Sequence, residues 1–268
     1  MTTAMKKVAM VTGAASAMGD ALDTHLISKG SWYVACLDLQ RGPGEALAKS
    51  LAPDAHFWEA NVADYDSQAR MFQEVFSRWG RIDALLANAG IVDRSSLYIL
   101  DHRGSNVIPP APNLACIHVD YKGVVYGKQL AIHFMRKNPT PGGNIVATAT
   151  VINFCRGIAP VLKLKDNITV NTVLPGIVPT RIIPQAMLAA VAPDYLTPIS
   201  TIVMAYDRFL SNDNFETGLA IERSVDKLYT IPQTEYINGR ASARACQVWE
   251  PLFKIMHSEN SRLEDAIP

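Results

Sequence analysis

The stretch with the clearest chemical potential is VAMVTGAASAMGDAL (8–22), where a buried apolar run ends at a turn and a helical pattern begins. Gly13 and Gly19 stand where a side chain would block a tight turn or the close approach of the backbone. Ala17 stands where a glycine is more usual, so the turn must accommodate one methyl group. Such a turn aims backbone N–H groups and the positive end of a helix dipole at a phosphate, which predicts the pyrophosphate site of a dinucleotide.

Asp38 lies at the end of the next apolar run, SWYVACLDL (31–39), about 20 residues after the turn. A carboxylate at this position can accept hydrogen bonds from both hydroxyls of a ribose, and it would repel a 2′-phosphate. The sequence therefore predicts NAD, in preference to NADP, as the cofactor. The alternative interpretation is that Asp38 is only a helix N-cap or a turn residue.

Short apolar runs alternate with helix-like stretches, which predicts βαβ units and a parallel sheet covered on both faces. The predicted strands are 6–13, 31–39, 56–62, 82–90, 142–150 and 167–176, and the predicted helices are 18–29, 66–80, 114–137 and about 151–164. Right-handed crossovers then give one α/β domain over residues 1–268, a Rossmann-like, doubly wound parallel sheet. We expect 93–113 to overhang the carboxyl ends of the strands, and about 181–268 to form the substrate-side cover and a tail of helices and loops.

The bulk properties narrow the classes of partner. Lys plus Arg and Asp plus Glu both number 25, so no net charge points to nucleic acid or to an anionic membrane. The first apolar run stops too early for a signal peptide, and no apolar stretch reaches the roughly 18 residues of a membrane span. Cys36, Cys116, Cys155 and Cys246 lack CxxC spacing, so we expect reduced thiols and no metal site. These features favour a cytoplasmic protein that acts on a small molecule.

A set of motifs occurs in the order and spacing of the short-chain dehydrogenase/reductase family, namely TGAASAMG, Asp38, NVAD (61–64), NAG (88–90), GGNIVATAT (142–150) and NITVNTVLPGIVPT (167–180). The chain resembles this family from about residue 6 to residue 180, and the remainder is similar to fungal members related to 15-hydroxyprostaglandin dehydrogenase. The resemblance implies an NAD(P)-dependent oxidoreductase that acts on a secondary alcohol or ketone, in a setting of fungal secondary metabolism.

The resemblance also implies where a cofactor would contact the chain. It places Asn61 and Val62 along the adenine, the NAG motif near the ribose, and the segment from Pro175 to Thr180 beside the nicotinamide. The cofactor-binding residues that it implies are Gly13, Ser16, Met18, Gly19, Asp38, Asn61, Val62, Asn88, Ala89, Gly90, Pro175, Gly176, Val178 and Thr180. Asn61 replaces the family's usual Asp, but its amide oxygen can still accept from the adenine amino group.

Hydride transfer between a carbinol and NAD needs a general acid/base at the substrate oxygen, and a phenol serves only if a nearby ammonium lowers its pKa. The family meets this need with a Tyr-x-x-x-Lys pair, yet none of the nine tyrosines here is followed by a lysine four residues on. Thr150 stands at the position of the family's serine, and Asp120 at that of its asparagine. VINFCRGIAP (151–160) resembles the second half of the family's next helix, so the block that holds the Tyr and Lys is missing between Thr150 and Val151.

Each remaining catalytic candidate has a second interpretation. Thr150 is either a remnant of the catalytic site or the N-cap of a truncated helix after the fifth strand. Asp120 is either a member of a proton relay or an exposed or helix-capped carboxylate. Dimers of the family commonly pack this same helix in their interface, so its shortening would remove part of a homodimer contact.

The chain therefore supports more than one function. By resemblance it is an oxidoreductase, impaired because the catalytic Tyr and Lys are absent. The alternatives are a non-redox cyclase or isomerase that uses the same pocket, with Asp120 or Asp166 as an acid, and a catalytically dead nucleotide-binding protein. A skipped exon or a misplaced intron would also explain the missing block. Messenger RNA that encodes a Tyr-x-x-x-Lys between Thr150 and Val151 would decide for the first function.

Overall fold

One mostly parallel sheet organises the computed structural model, which describes residues 5–93, 98–148 and 151–268. The strands are β1 (Lys7–Thr12), β2 (Trp32–Asp38), β3 (Ala55–Glu59), β4 (Ala84–Ala87), β5 (Gly143–Thr148), β6 (Ile168–Pro175), β7 (Ala220–Ser224) and β8 (Lys227–Thr230). Their order in the sheet is β3-β2-β1-β4-β5-β6-β7-β8, and only the β7–β8 pair is antiparallel among these described strands. The predicted single, doubly wound, Rossmann-like sheet is confirmed.

Helices cover both faces of the sheet. They are α1 (Ala17–Ser28), α2 (Arg41–Ser50), α3 (Tyr65–Trp79), α4 (Gly123–Met135), α5 (Ile152–Asp166), α6 (Gln185–Ala190), α7 (Ile199–Leu210), α8 (Gly239–Cys246) and α9 (Glu250–His257). A π-helical turn, Ile117–Lys122, runs directly into α4. Of the helices that the structure describes, none combines the length and the apolar character that a membrane crossing requires.

Alternation along the strands divides the core into two layers. On β1, Val8 and Met10 pack with the layer that contains α3, α4 and α5, whereas Ala9 and Val11 pack with the layer that contains α1, α2 and α7. Successive side chains of a strand point to opposite faces, so a strand buried on both sides must be apolar throughout. This is why KVAMVT reads as a continuous apolar run.

Two parts of the fold differ from the sequence-based expectation. Helix α2 was not predicted, because its sequence RGPGEALAKS contains a proline and two glycines, which disfavour a helix. Strands β7 and β8 lie in the region that was expected to hold only helices and loops, and they extend the sheet beyond β6. The region 181–268 therefore contributes to the sheet as well as to the rim of the molecule.

The connection between β5 and α5 is short. The strand ends at Thr148, two residues before the predicted end, and the helix begins at Ile152, so three residues connect them. Such a length is ordinary for a strand-to-helix connection, which commonly takes about 2–6 residues. Thr150 lies outside the described residues. The N-cap position of α5 falls on Val151, which makes no side-chain capping bond, and both interpretations of Thr150 stay predictions.

The turn between β1 and α1 is closely packed. Gly13 has φ +68°, and a Cβ there would lie 2.9 Å from the Cα of Ala89. A Cβ on Gly19 would lie 2.1 Å from the carbonyl oxygen of Gly13, so this glycine lets the helix start against the turn. Ala17 also has a positive φ, +35°, which strains a residue that carries a side chain. The turn therefore accommodates the methyl group of Ala17, as expected, but the backbone at this residue is strained.

A fully buried carboxyl group lies beneath this turn. Asp23 of α1 is 0% exposed, and neither of its oxygens has an N–H or O–H donor among the described residues. Burial raises the pKa of Asp23 well above its ordinary value, the thiol of Cys36 offsets this only in part, and the charges of Asp20 and Asp38 add to it. The group is therefore held in its neutral form where an ordinary aspartate would be ionised.

We expect the stability of the protein to fall with rising pH through Asp23. A carboxyl whose pKa is raised by folding stabilises the fold fully below its unfolded-state pKa, near 3.8, and this contribution is lost as pH rises through the folded-state pKa. The free energy of unfolding of D23N should therefore rise relative to that of wild type as pH rises, by at most about 1.4 kcal/mol per pH unit. Urea unfolding across this range measures the difference, and D194N, at an exposed site, is the control. Parallel pH profiles for wild type and D23N would refute the assignment.

We also expect the substitution Ala17→Gly to increase the stability of the protein. A left-handed φ costs a residue with a side chain about 1 kcal/mol or more, whereas glycine adopts it freely. In A15G, within the same turn but without a positive φ, glycine should only lower stability through its greater chain entropy. Chemical denaturation should therefore place A17G at least about 1 kcal/mol above A15G in unfolding free energy. Equal losses in both variants would contradict the strain at Ala17.

Candidate active site

A cavity of about 470 Å³ opens at the carboxyl ends of the parallel strands. The end of β1, the end of β2 and the segments that follow β3, β4 and β6 all contribute to its wall. The predicted residues that line it are Gly13, Ser16, Met18, Asp38, Asn61, Val62, Asn88, Ala89, Gly90, Asp120, Pro175, Gly176, Val178 and Thr180. Gly19 is not part of the wall and supports the turn from behind. The structure thus brings together residues that are up to 167 positions apart (180 less 13) in the sequence.

The ends of β1 and β4 are tied together by one hydroxyl group. The Oγ1 of Thr12 accepts from the backbone N–H groups of Asn88 and Ala89, both at 3.0 Å. The side-chain amide of Asn88 donates to the carbonyl oxygen of Thr12 at 3.1 Å, while its own Oδ1 is buried without a donor among the described residues. These bonds hold the NAG segment against the turn, where the strand order reverses.

Asp38 is engaged by the backbone around it. Its Oδ2 accepts from the N–H of Ala15 at 3.0 Å, and its Oδ1 accepts from the N–H of Gln40 at 2.9 Å. The second bond closes a turn after β2, and Gln40 rather than Asp38 occupies the N-cap of α2, so the ribose-binding role of Asp38 stays a prediction. A carboxylate has about four acceptor sites, so Asp38 can hold the turn and still accept from a ligand at the cavity wall.

Asn61 and Val62 belong to a segment that is fixed to α3 and α4. The Oδ1 of Asn61 accepts from the N–H of Ala63 at 3.0 Å. Gln68, a buried residue of α3, donates its side-chain amide to the carbonyl oxygen of Val62 at 2.6 Å and to that of Gly123 at 2.8 Å. We call this arrangement the Gln68 clamp. It joins the wall segment after β3 to the beginning of α4.

Asp120 lies on the π-helical turn and faces the cavity. Its Oδ1 accepts from the N–H of Ile91 at 3.0 Å, which fixes the carboxylate beside the NAG segment. Burial raises the pKa of Asp120, and the bond from Ile91 opposes this shift. The carboxyl is thus poised to hold a proton at a higher pH than an exposed aspartate would. Asp166, the other candidate acid, is ion-paired with Arg136 at 2.7 Å and is absent from the cavity wall.

Thr148, at the end of β5, is a wall residue that no sequence pattern singled out. Its Oγ1 lies 2.5 Å from the hydroxyl oxygen of Tyr206, which is on α7 and only 1% exposed. Burial raises the pKa of Tyr206 to about 12, and the bond with Thr148 opposes this shift. Residues 58 positions apart meet here, so no local sequence signal could have indicated the contact.

Among the described residues of the cavity wall, no pair of side chains could serve as the acid/base. Its charged residues are Asp38, Asp120 and Arg181, and among the described residues that line it none is a tyrosine or a lysine. Lys128 is a buried lysine, but it does not line the wall. Its amine donates to the Sγ of Cys155 at 2.6 Å, between α4 and α5. Within the described ranges, no three His, Cys, Asp or Glu side chains cluster in the manner of a metal site.

Comparisons with known proteins place the chain among its relatives. The family model described as short chain dehydrogenase matches residues 7–162. Short-chain dehydrogenase/reductase prx6 of Penicillium rubens is 47% identical over 292 residues, which cover 98% of this chain and 98% of the relative. Short-chain dehydrogenase/reductase prx7 of the same organism is 31% identical over 209 residues, which cover 69% of this chain and 73% of the relative.

Solved structures share the fold. A 3-ketoacyl-(acyl-carrier-protein) reductase from Brucella melitensis, complexed with NADH, superposes with a TM-score of 0.69 at 18% identity, covering 81% of this chain and 96% of that one. A short-chain type dehydrogenase/reductase from Mycobacterium marinum gives a TM-score of 0.71 at 19% identity, covering 83% and 95%. With the family model and the prx6 match, the sheet and the cavity lead to one conclusion: the chain belongs to the short-chain dehydrogenase/reductase family of oxidoreductases.

Proposed function

We propose that the chain binds NAD in this cavity and that its own hydride-transfer step, on a secondary alcohol or ketone, is impaired. One observation carries the proposal. The described wall combines the groups that a dinucleotide requires, namely the glycine turn and a carboxylate at the end of β2, but no tyrosine and no lysine is among its lining residues.

The residues of the wall fit the cofactor part by part. The glycine turn opens α1, so its backbone N–H groups suit a pyrophosphate. The carboxylate of Asp38 suits the two ribose hydroxyls and disfavours a 2′-phosphate, which supports NAD over NADP. Asn61 and Val62 would lie along the adenine, and the segment from Pro175 to Thr180 would lie beside the nicotinamide.

The relatives support the same proposal. The Brucella melitensis reductase of similar fold is complexed with NADH. The match with prx6 extends over 292 residues, whereas this chain has 268, so at least 24 aligned positions (292 less 268) are occupied only in the relative. A missing internal block in this chain accounts for such positions, and the three-residue connection from β5 to α5 is where we infer that the block is missing.

NAD supplies a hydride acceptor when it is bound, and the chain must move the hydroxyl proton of the alcohol. General acid/base catalysis commonly contributes about 10²–10⁴-fold to the rate. Thr148 offers a hydroxyl whose partner, Tyr206, has a raised pKa and, among the described residues, no ammonium beside it, so neither group is a good proton acceptor at neutral pH. The chain would thus bind and orient its ligands but move the proton slowly.

A second candidate function is a non-redox isomerase or cyclase that uses the same cavity. The observation that favours it is Asp120, a wall carboxyl whose pKa is raised by burial and which can therefore retain a proton for general acid catalysis. A nucleotide-binding protein without catalysis is the third candidate. In each case we infer a small-molecule ligand, a cytoplasmic location and no nucleic-acid or membrane partner, and a homodimer would be weakened by the shortened α5.

We expect the cofactor preference to depend on Asp38. Wild type should bind NAD more tightly than NADP in calorimetric titrations. The D38N variant should lose about tenfold or more in NAD affinity, because a hydrogen bond to a charged group contributes about 1.5–3 kcal/mol. The ratio of its NAD affinity to its NADP affinity should also be smaller than in wild type. D226N is the control for a general effect of lost charge, since Asp226 is outside the cavity wall. An unchanged ratio of the two affinities in D38N would exclude Asp38 as the ribose ligand.

We expect NAD binding without efficient turnover. At saturating NAD, formation of NADH with a panel of secondary alcohols should be lower by about 10²–10⁴-fold than in a family member that has the Tyr-x-x-x-Lys pair, since the acid/base contribution is missing. Calorimetry on the same preparation shows that the cofactor is bound during the assay. Turnover that matches the complete family member would disprove the impairment. Isomerisation or cyclisation abolished in D120N would instead favour the second candidate.

A further inference from the structure

The bond between Thr148 and Tyr206 has a direction that burial decides. Tyr206 is only 1% exposed, and within the described part of the chain Thr148 is the one hydrogen-bond partner of its hydroxyl. If Thr148 donated to Tyr206, the phenol proton would be buried without an acceptor, which costs free energy comparable to a lost hydrogen bond. Tyr206 therefore donates to the Oγ1 of Thr148.

This direction determines what Thr148 can offer to a ligand. Once its oxygen accepts from Tyr206, the remaining proton of the Thr148 hydroxyl is free to donate, and Thr148 lines the cavity. The raised pKa of Tyr206, about 12, keeps the phenol protonated and hence donating across the physiological range. The wall thus presents a hydroxyl donor at the end of β5, and the bond with Tyr206 sets its orientation.

The position of this donor indicates which part of a dinucleotide it faces. Asp38 ends β2, and Thr148 ends β5, with β1 and β4 lying between them in the sheet. Three strand spacings of about 4.8 Å separate the two wall groups by roughly 14 Å. Thr148 also pairs in register with Val173 of β6, two residues before Pro175. It lies therefore at the end of the cavity opposite to the adenosine.

We propose that Thr148 is a cofactor-binding residue that donates its hydroxyl hydrogen bond to the carbonyl oxygen of the nicotinamide carboxamide, and that Tyr206 is the positioning residue which orients it. The inference rests on the proposed function, because it requires NAD to occupy the cavity. It adds to that function a group that selects the nicotinamide half of the molecule, independent of the turn and of Asp38.

The test compares NAD with ADP-ribose, which lacks the nicotinamide, by calorimetric titration of the full chain. T148V removes the donor with little change in volume, and it should weaken NAD binding by about three- to tenfold while leaving ADP-ribose binding unchanged. T148S keeps the hydroxyl and should bind both ligands as wild type does. Y206F frees the Thr148 hydroxyl to rotate and should give a smaller loss, again for NAD alone.

The outcomes separate this inference from the proposed function. If T148V binds NAD as wild type does, or loses NAD and ADP-ribose affinity equally, Thr148 does not bind the carboxamide and the inference is overturned, while the proposed function stands. If wild type binds neither ligand, the proposed function fails and the inference falls with it. Should Y206F fail to fold, the T148V and T148S pair still decides the role of Thr148.

Discussion

The cavity depends on the contact between β1 and β4, the two strands at which the order of the sheet reverses. Crossovers leave this point on opposite faces, so a crevice opens between them, and the two strands must stay paired although the chain departs in different directions. At their carboxyl ends, the hydroxyl of Thr12 holds the segment after β4. At their other ends, the carboxylate of Asp83 accepts from the backbone of Val8 at 2.8 Å and from Arg81. With both ends of the pair fixed, the turn after β1 and the NAG segment face each other across the crevice.

The sequence was most informative where chemistry and backbone geometry are local. The apolar runs predicted the six parallel strands that surround the switch point, and the glycine turn and Asp38 lie at the cavity because each comes at the carboxyl end of one of these strands. Local patterns were a poor guide to α2, whose proline and glycines are tolerated through packing such as that of Gly44 against Phe57. They also missed β7 and β8, which are stabilised by β6. The Thr148–Tyr206 bond and the Asp120–Ile91 bond join distant segments, so only the folded chain reveals them.

The core of the fold is retained although the connection between β5 and α5 is short. Once the strand stops at Thr148, three residues carry the chain to α5, and the helix still packs on the sheet through buried residues such as Cys155 and Ala159. The packing of α5 and the groups that hydride transfer requires therefore make separate demands on this region. The core needs the apolar face of α5, whereas hydride-transfer chemistry needs a phenol and an ammonium on the side of the helix that faces the cavity. The phenol of Tyr206 lies in the opposite layer, where it supports the wall but has no cation beside it, among the residues that the structure describes, to make it acidic.

The Gln68 clamp affects how much conformational entropy the cavity wall loses when a ligand binds. One amide group bonds the segment after β3 and the beginning of α4, and a Cβ on Gly123 would lie only 2.9 Å from the Val62 carbonyl oxygen, so the two segments are in direct contact. The wall segment that holds Asn61 and Val62 and the helical arm that carries Asp120 are consequently joined by one side chain. Groups that are already held in place lose less conformational entropy when a ligand binds, so the Gln68 clamp lowers the ordering cost at this part of the cavity wall.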